Sequence, residues 1–206
     1  SYRVQYDGAL LDALVARAFP TPAAAAGEVR KSEPLSPVAR LGFLRNLEAG
    51  LRRGDLPLAR LLPLLPAMAA DPSRHVVGLS AGLVTQLRDL VGPGQTAAWQ
   101  AQVHDLYASR LRGLGLRTGP GDDDNTRILR STILPWVLGD AGRTREVAAL
   151  QAEGESLLSG WLRDRRALDA ETAHALALAV PQQAGAGLWQ AIAQAAKGDP
   201  DRVRRS

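Results

Sequence analysis

Ser36-Pro37-Val38-Ala39-Arg40-Leu41-Gly42-Phe43-Leu44-Arg45-Asn46-Leu47-Glu48-Ala49-Gly50-Leu51-Arg52-Arg53-Gly54 carries a whole helix together with its start and its stop. The Ser36 hydroxyl can accept a hydrogen bond from a first-turn amide, and Pro37 fits the first helical position, where an N–H has no intrahelical partner anyway. Val38, Leu41, Leu44, Leu47 and Leu51 recur at helical spacing and mark one face, and Gly54 supplies the terminating residue.

Towards the N-terminus, Leu10, Leu11, Leu14, Val15 and Phe19 repeat the pattern until Pro20 and Pro22 stop it. Between Thr21 and Leu35 the periodicity is weak and a loop is expected. Tyr2 to Tyr6 alternate as a short extended segment, and Asp7 is placed to cap the helix that follows. Towards the C-terminus, a leucine-rich stretch reaches Leu65, with Pro63 and Pro66 expected to kink or split it. Val76, Leu79, Leu83, Leu87 and Leu90 continue as a helix until Gly92.

Thr96 is a candidate cap for the helix carrying Trp99, Val103, Leu106, Tyr107 and Leu111, and Asp124 or Asn125 for the one carrying Ile128, Leu129, Ile133 and Leu134. Pro135 is expected to bend that helix rather than end it. Further helices are expected over 144–162, 169–180 and 185–197. Consecutive amphipathic helices with short breaks predict an all-α fold. The form expected is an irregular α-superhelix of stacked antiparallel helix pairs, HEAT- or armadillo-like but without a strict repeat.

Lys+Arg total 25 against 21 Asp+Glu, a formal charge of only +4, and 23 of the basic residues are arginines, which inflate the isoelectric point. Because acids interleave with them, as in Arg163-Asp164-Arg165-Arg166, solvated helix faces account for most, and no nucleic-acid partner is expected. Cysteine is absent, which removes disulfides and thiol catalysis. No apolar run approaches the roughly 18 residues that span a bilayer, so no membrane partner is expected either. The compartment is not written in these residues, with the cytoplasm slightly favoured.

A peptidase zinc helix needs two histidines four residues apart with a glutamate between them as general base. His75, His104 and His174 are isolated from one another, so no catalytic and no metal-ligating residue is assigned. Asp122, Asp123 and Asp124 lack the alternating ligands of a calcium loop and are expected to form a solvated helix start. No phosphate loop and no Gly-x-Ser-x-Gly nucleophile is present. Trp99, Trp136, Trp161 and Trp189 are expected to pack between helices.

Several of these segments resemble the C-terminal helical domain of aminopeptidase N, puromycin-sensitive aminopeptidase and endoplasmic-reticulum aminopeptidase. Tyr2-Arg3-Val4-Gln5-Tyr6-Asp7 is similar to that family's phrase at the exit from a small β-sandwich domain. Leu35 to Pro57 is similar to its first strong helix and turn, Leu129 to Leu134 to a later Leu-Arg phrase, and Leu157 to Leu162 to a helix ending in Trp-Leu. Asn46 departs from a frequent aspartate, and the segment Arg74 to Leu79 lacks an aromatic pair.

The resemblance implies residues 1–6 as an exit strand or linker and 7–206 as a partial C-terminal helical domain, truncated at its C-terminal end. It implies a parent zinc aminopeptidase that removes N-terminal residues from peptides. Zinc would be held by the parent enzyme, with no cofactor in this chain and its substrate-binding residues unassigned. The partners implied are the preceding catalytic and β-sandwich domains of the same polypeptide and a peptide substrate, with this domain walling the chamber. A free-standing helical-repeat scaffold that binds a protein is the alternative.

Overall fold

The computed structural model describes residues 6, 8–20, 33–142, 144–180 and 186–198. Among them the regular structure is entirely helical, with no strand, and no helix is long and apolar enough to cross a membrane. The chain divides into two compact units, 1–80 and 81–206. The expected extended segment at the N-terminus lies outside the described residues apart from Tyr6, as does the cap assigned to Asp7.

In the first unit, α1 spans Gly8–Ala18 and α2 spans Pro37–Arg53. The Ser36 hydroxyl accepts from Ala39 N at 3.2 Å, and Gly54 adopts the left-handed conformation (φ +79°) with its N–H donating to Leu51 O at 3.0 Å. Both ends of α2 are therefore set by the residues that predicted them. Its buried face is rotated from the expected one. Phe43, Leu44 and Leu47 are buried, whereas Val38, in the first turn, is 82% exposed and Leu41 and Leu51 are half-buried.

The leucine-rich stretch breaks as its prolines demand. α3 (Leu58–Leu61) tightens into a 3₁₀ turn at Leu62–Leu64 and continues as α4 (Leu65–Ala69). Leu61, Leu64, Leu65 and Met68 all reach the core. α5 follows over Arg74–Arg88, and the division into units falls within it. Its start is fixed by Asp71, whose Oδ1 accepts from Ser73 N at 2.8 Å and from Arg40 Nη2 at 3.1 Å, while Arg40 Nε lies 2.8 Å from Oδ2. Asp71 is buried, and that guanidinium helps compensate its removal from water.

In the second unit, α6 (Thr96–Leu114) and α7 (Asp124–Pro135) pack together, and α7 also packs on α9 (Ala170–Ala179). Between them in sequence runs α8 (Arg145–Arg163), which packs on α9 and on α10 (Ala186–Gly198). Thr144 and Asp169 cap α8 and α9, accepting from Val147 N at 3.2 Å and Thr172 N at 2.8 Å. Two expected caps shift. Asp123 caps α7, accepting from Thr126 N at 2.7 Å, because it is the last residue with extended backbone. Thr96 does not cap α6, since a 3₁₀ turn at Pro93–Gln95 precedes it and its hydroxyl donates to Pro93 O at 3.3 Å.

The α-helical register of α7 stops at Pro135, yet the chain stays helical there instead of only bending. Without an N–H to donate and with its ring crowding the preceding turn, the chain widens into a π-helical turn at Trp136–Asp140. That turn delivers Val137 and Leu138, both fully buried, against α6, α7, α8 and α9. Gln151 on α8 supports it by donating from Nε2 to Leu138 O at 2.8 Å.

Close approach here requires a glycine. A Cβ on Gly154 would sit 3.0 Å from Val180 Cγ2 and 3.3 Å from both Leu138 Cδ1 and Leu176 Cδ2, whereas one on Gly160, in the same helix, would meet nothing within 4 Å. Gly154→Val is therefore expected to cost about 1–3 kcal/mol by overpacking. Gly160→Ala should gain roughly 0.5–1 kcal/mol through helix propensity. Urea denaturation of the two variants checks both signs.

Candidate functional site

The residues weighed for chemistry fall apart in space or into structural roles. His75 and His174 are exposed on α5 and α9, and His104 on α6 lies with Nδ1 3.2 Å from its neighbour Asp105. Among the described residues no three metal-ligating side chains come together. The donor set thus does not fit a zinc centre, and no hydrolytic step is assigned to these residues. Trp99, Trp136 and Trp161 are half-buried and Trp189 is 51% exposed, so none joins the fully buried core. Two of them instead carry guanidinium groups on their faces, Arg165 over Trp161 at 3.8 Å and Arg88 over Trp136 at 5.8 Å.

Just before α1, Tyr6 is held against α2 by both its ring and its hydroxyl. The ring packs on Phe43 with centroids 5.4 Å apart and planes tilted by 57°, and the hydroxyl accepts from Asn46 Nδ2 at 3.1 Å. Asn46 thus fills its departure from the family's aspartate with a donor of its own. Beside this contact lies a shallow, solvent-open indentation lined by Tyr6, Asn46, Gly50, Leu56 and the ion-paired Arg53 and Asp55. Gly50 O accepts from Asp55 N at 2.9 Å and Leu56 N at 3.2 Å, which folds the turn back on α2 and closes one side.

The second cluster centres on Arg130, the largest fully buried side chain among the described residues. Its Nε donates to Gly115 O at 3.0 Å and its Nη2 to Leu114 O at 3.0 Å, so a positive charge on α7 meets the carbonyls at the C-terminal end of α6. Nη2 also donates to Asp122 Oδ2 at 2.5 Å, and the same oxygen accepts from Gly119 N at 2.8 Å. One guanidinium thereby closes the loop between the two helices. Thr118 extends the connection to α9 by donating from its hydroxyl to Asp169 Oδ2 at 2.7 Å.

The acidic run divides its work accordingly. Asp122 pairs with Arg130, Asp123 caps α7, and Asp124 pairs with Arg127. A helix start was legible in that run, but the buried partner of Asp122 was not, because arginine at a helical position ordinarily signals a solvated face. Its one sequence signal is Arg130's place between Leu129 and Ile133, on the apolar side of α7.

The hydrogen bond from Gly119 N and then the Arg130 guanidinium hold the Asp122 carboxyl below its ordinary value. The Thr126 hydroxyl and amide do the same for Asp123. Burial works against the charge of Asp169, yet the bonds from Thr172 and Thr118 outweigh it and hold that carboxyl low as well.

Ionisable groups spent on helix ends and hairpin loops define a class, a helical domain whose polar clusters brace its architecture. The chain belongs to the ERAP1-like C-terminal domain family, whose model matches residues 1–205, and it is accordingly part of an aminopeptidase. No curated protein and no solved structure matches it.

Arg130→Met is expected to destabilise the second unit by about 3 kcal/mol, since it strands Asp122 and two helix-end carbonyls, while Arg130→Lys should lose less. Thermal melts of both variants measure the difference. A carboxyl whose folded pKa is depressed adds stability above its unfolded value and loses it as pH falls through the folded one. Stability should therefore decline below the ordinary carboxyl value of 3.8, and Asp122→Asn should flatten part of that decline in acid titrations followed by circular dichroism.

Proposed function

We propose that this chain forms part of the wall of a substrate chamber in a zinc aminopeptidase that removes N-terminal residues from peptides, with hydrolysis carried by a preceding domain of the same polypeptide. The observation that carries this is the family match across residues 1–205 in a sequence that contains no His-Glu-x-x-His. The catalytic zinc, its general-base glutamate and the groups that polarise the peptide carbonyl would all lie outside these residues. What this chain supplies is a framework of packed helices.

The Tyr6 contact supports a junction with a preceding β-sandwich domain. The aromatic ring and the hydroxyl fix the incoming chain on α2 at two points, so the direction of entry into the helical domain is set by packing as well as by the backbone. Arginines facing the chamber would serve peptide carboxylates. Many guanidinium groups are already committed, as Arg40 is to Asp71, Arg60 to Asp12 and Arg112 to Glu146, which narrows the choice to those without an acidic partner.

With an aminoacyl reporter and added zinc, the 206-residue chain alone should show no turnover above a protein-free control. The coding sequence upstream should encode the zinc helix with its glutamate. Zinc-dependent turnover by the chain itself, or an upstream sequence without that helix, would refute the assignment.

A further inference from the structure

The π-helical turn at Trp136–Asp140 has a latch on its outer side. Arg88, in the last turn of α5, reaches both ends of it, with its guanidinium carbon 5.8 Å from the Trp136 ring centroid and its Nη1 donating to Asp140 Oδ2 at 3.2 Å. On the inner side, Val137 and Leu138 are fully buried and Gln151 holds Leu138 O at 2.8 Å. The turn is therefore gripped by apolar packing and one amide within, and by a single charged side chain without.

Three features weaken the backbone of this turn. Pro135 immediately before it contributes no N–H, so the helix enters the turn one hydrogen bond short. The wide register is intrinsically the least favourable of the helical forms. Gly139 lies inside it, and Gly142 just beyond is left-handed (φ +74°), with Gln100 close enough that a Cβ there would sit 3.2 Å from the Gln100 Cβ.

We propose that residues 136–142 form a local opening element controlled by Arg88, a joint in the second unit that loosens while the packing of α7 on α9 holds. The latch is electrostatic and half-exposed, with side-chain exposures of 48% for Arg88 and 21% for Asp140, so salt weakens it while leaving the apolar contacts of Val137 and Leu138 in place. Opening is thus sensitive to ionic strength in a way that global unfolding of an apolar core is not. The same weak point lets an anion that competes with Asp140 for the guanidinium loosen the joint.

Amide hydrogen exchange of the full chain, read by mass spectrometry under native conditions, tests the latch. In Arg88→Ala the amides of residues 136–142 should exchange about five- to tenfold faster, as expected for losing one half-exposed ion pair and one cation–π contact. The amides of α6 and α9 should keep their rates. Raising the salt concentration should move the wild-type protein in the same direction and leave Arg88→Ala unchanged. The double variant Arg88→Asp with Asp140→Arg should recover part of the protection, which separates the ion pair from a general effect of mutation at Arg88. Equal acceleration across the whole second unit, no acceleration at 136–142, or identical salt responses in wild type and Arg88→Ala would each overturn the proposal.

Discussion

A guanidinium removed from water needs compensating groups, and Arg130 finds them through Nε and Nη2 at the ends of two helices and the loop between them, while its buried Nη1 has no hydrogen-bond partner. The carbonyls of Leu114 and Gly115 have no partner within α6, and Asp122 stands just before the first turn of α7. Each would carry a cost if buried alone, and the costs cancel only when all are brought to one point. The hairpin geometry of α6 and α7 follows from that requirement. Through Thr118 and Asp169 it also fixes where α9 begins.

The apolar part of the second unit depends on a different constraint, the proline at the end of α7. By diverting the helix into a wider turn it presents Val137 and Leu138 to four helices at once. Gly154 on α8 then allows Leu138, Leu176 and Val180 to close over the helix backbone, where any larger residue would hold them off. Packing density in this region is therefore a joint property of one proline, one glycine and one glutamine, none of which is hydrophobic in the usual sense.

For a member of an aminopeptidase C-terminal family, the distribution of charge has a functional consequence. Arginines dominate the basic residues, and several among the described residues are bound to acids, so part of the positive charge is spent on bracing the helices. The contact of Tyr6 with Phe43 and Asn46 places a second demand on the domain, since the chain must pass over α2 along a defined path before it enters α1. Bracing within and guidance at the entrance are compatible with a part that encloses a reaction rather than performing it.

Much of this was written in the sequence, because helix periodicity, caps and breakers act over a few residues. Ser36, Pro37 and Gly54 set the limits of α2, Thr144 and Asp169 began the helices expected of them, and Pro63 and Pro66 broke the leucine run. The landmarks from Tyr2 to Leu162 were enough to point to the family. Tertiary structure decided what depends on a partner distant in sequence. Which side of α2 is buried was settled by the neighbours of Phe43, and whether Pro135 bends or widens α7 by what Val137 and Leu138 had to reach. That Arg130, alone among the described arginines, is buried followed from the helix end it faces, because the burial of a charge is determined by the groups that compensate it and not by the residue that bears it.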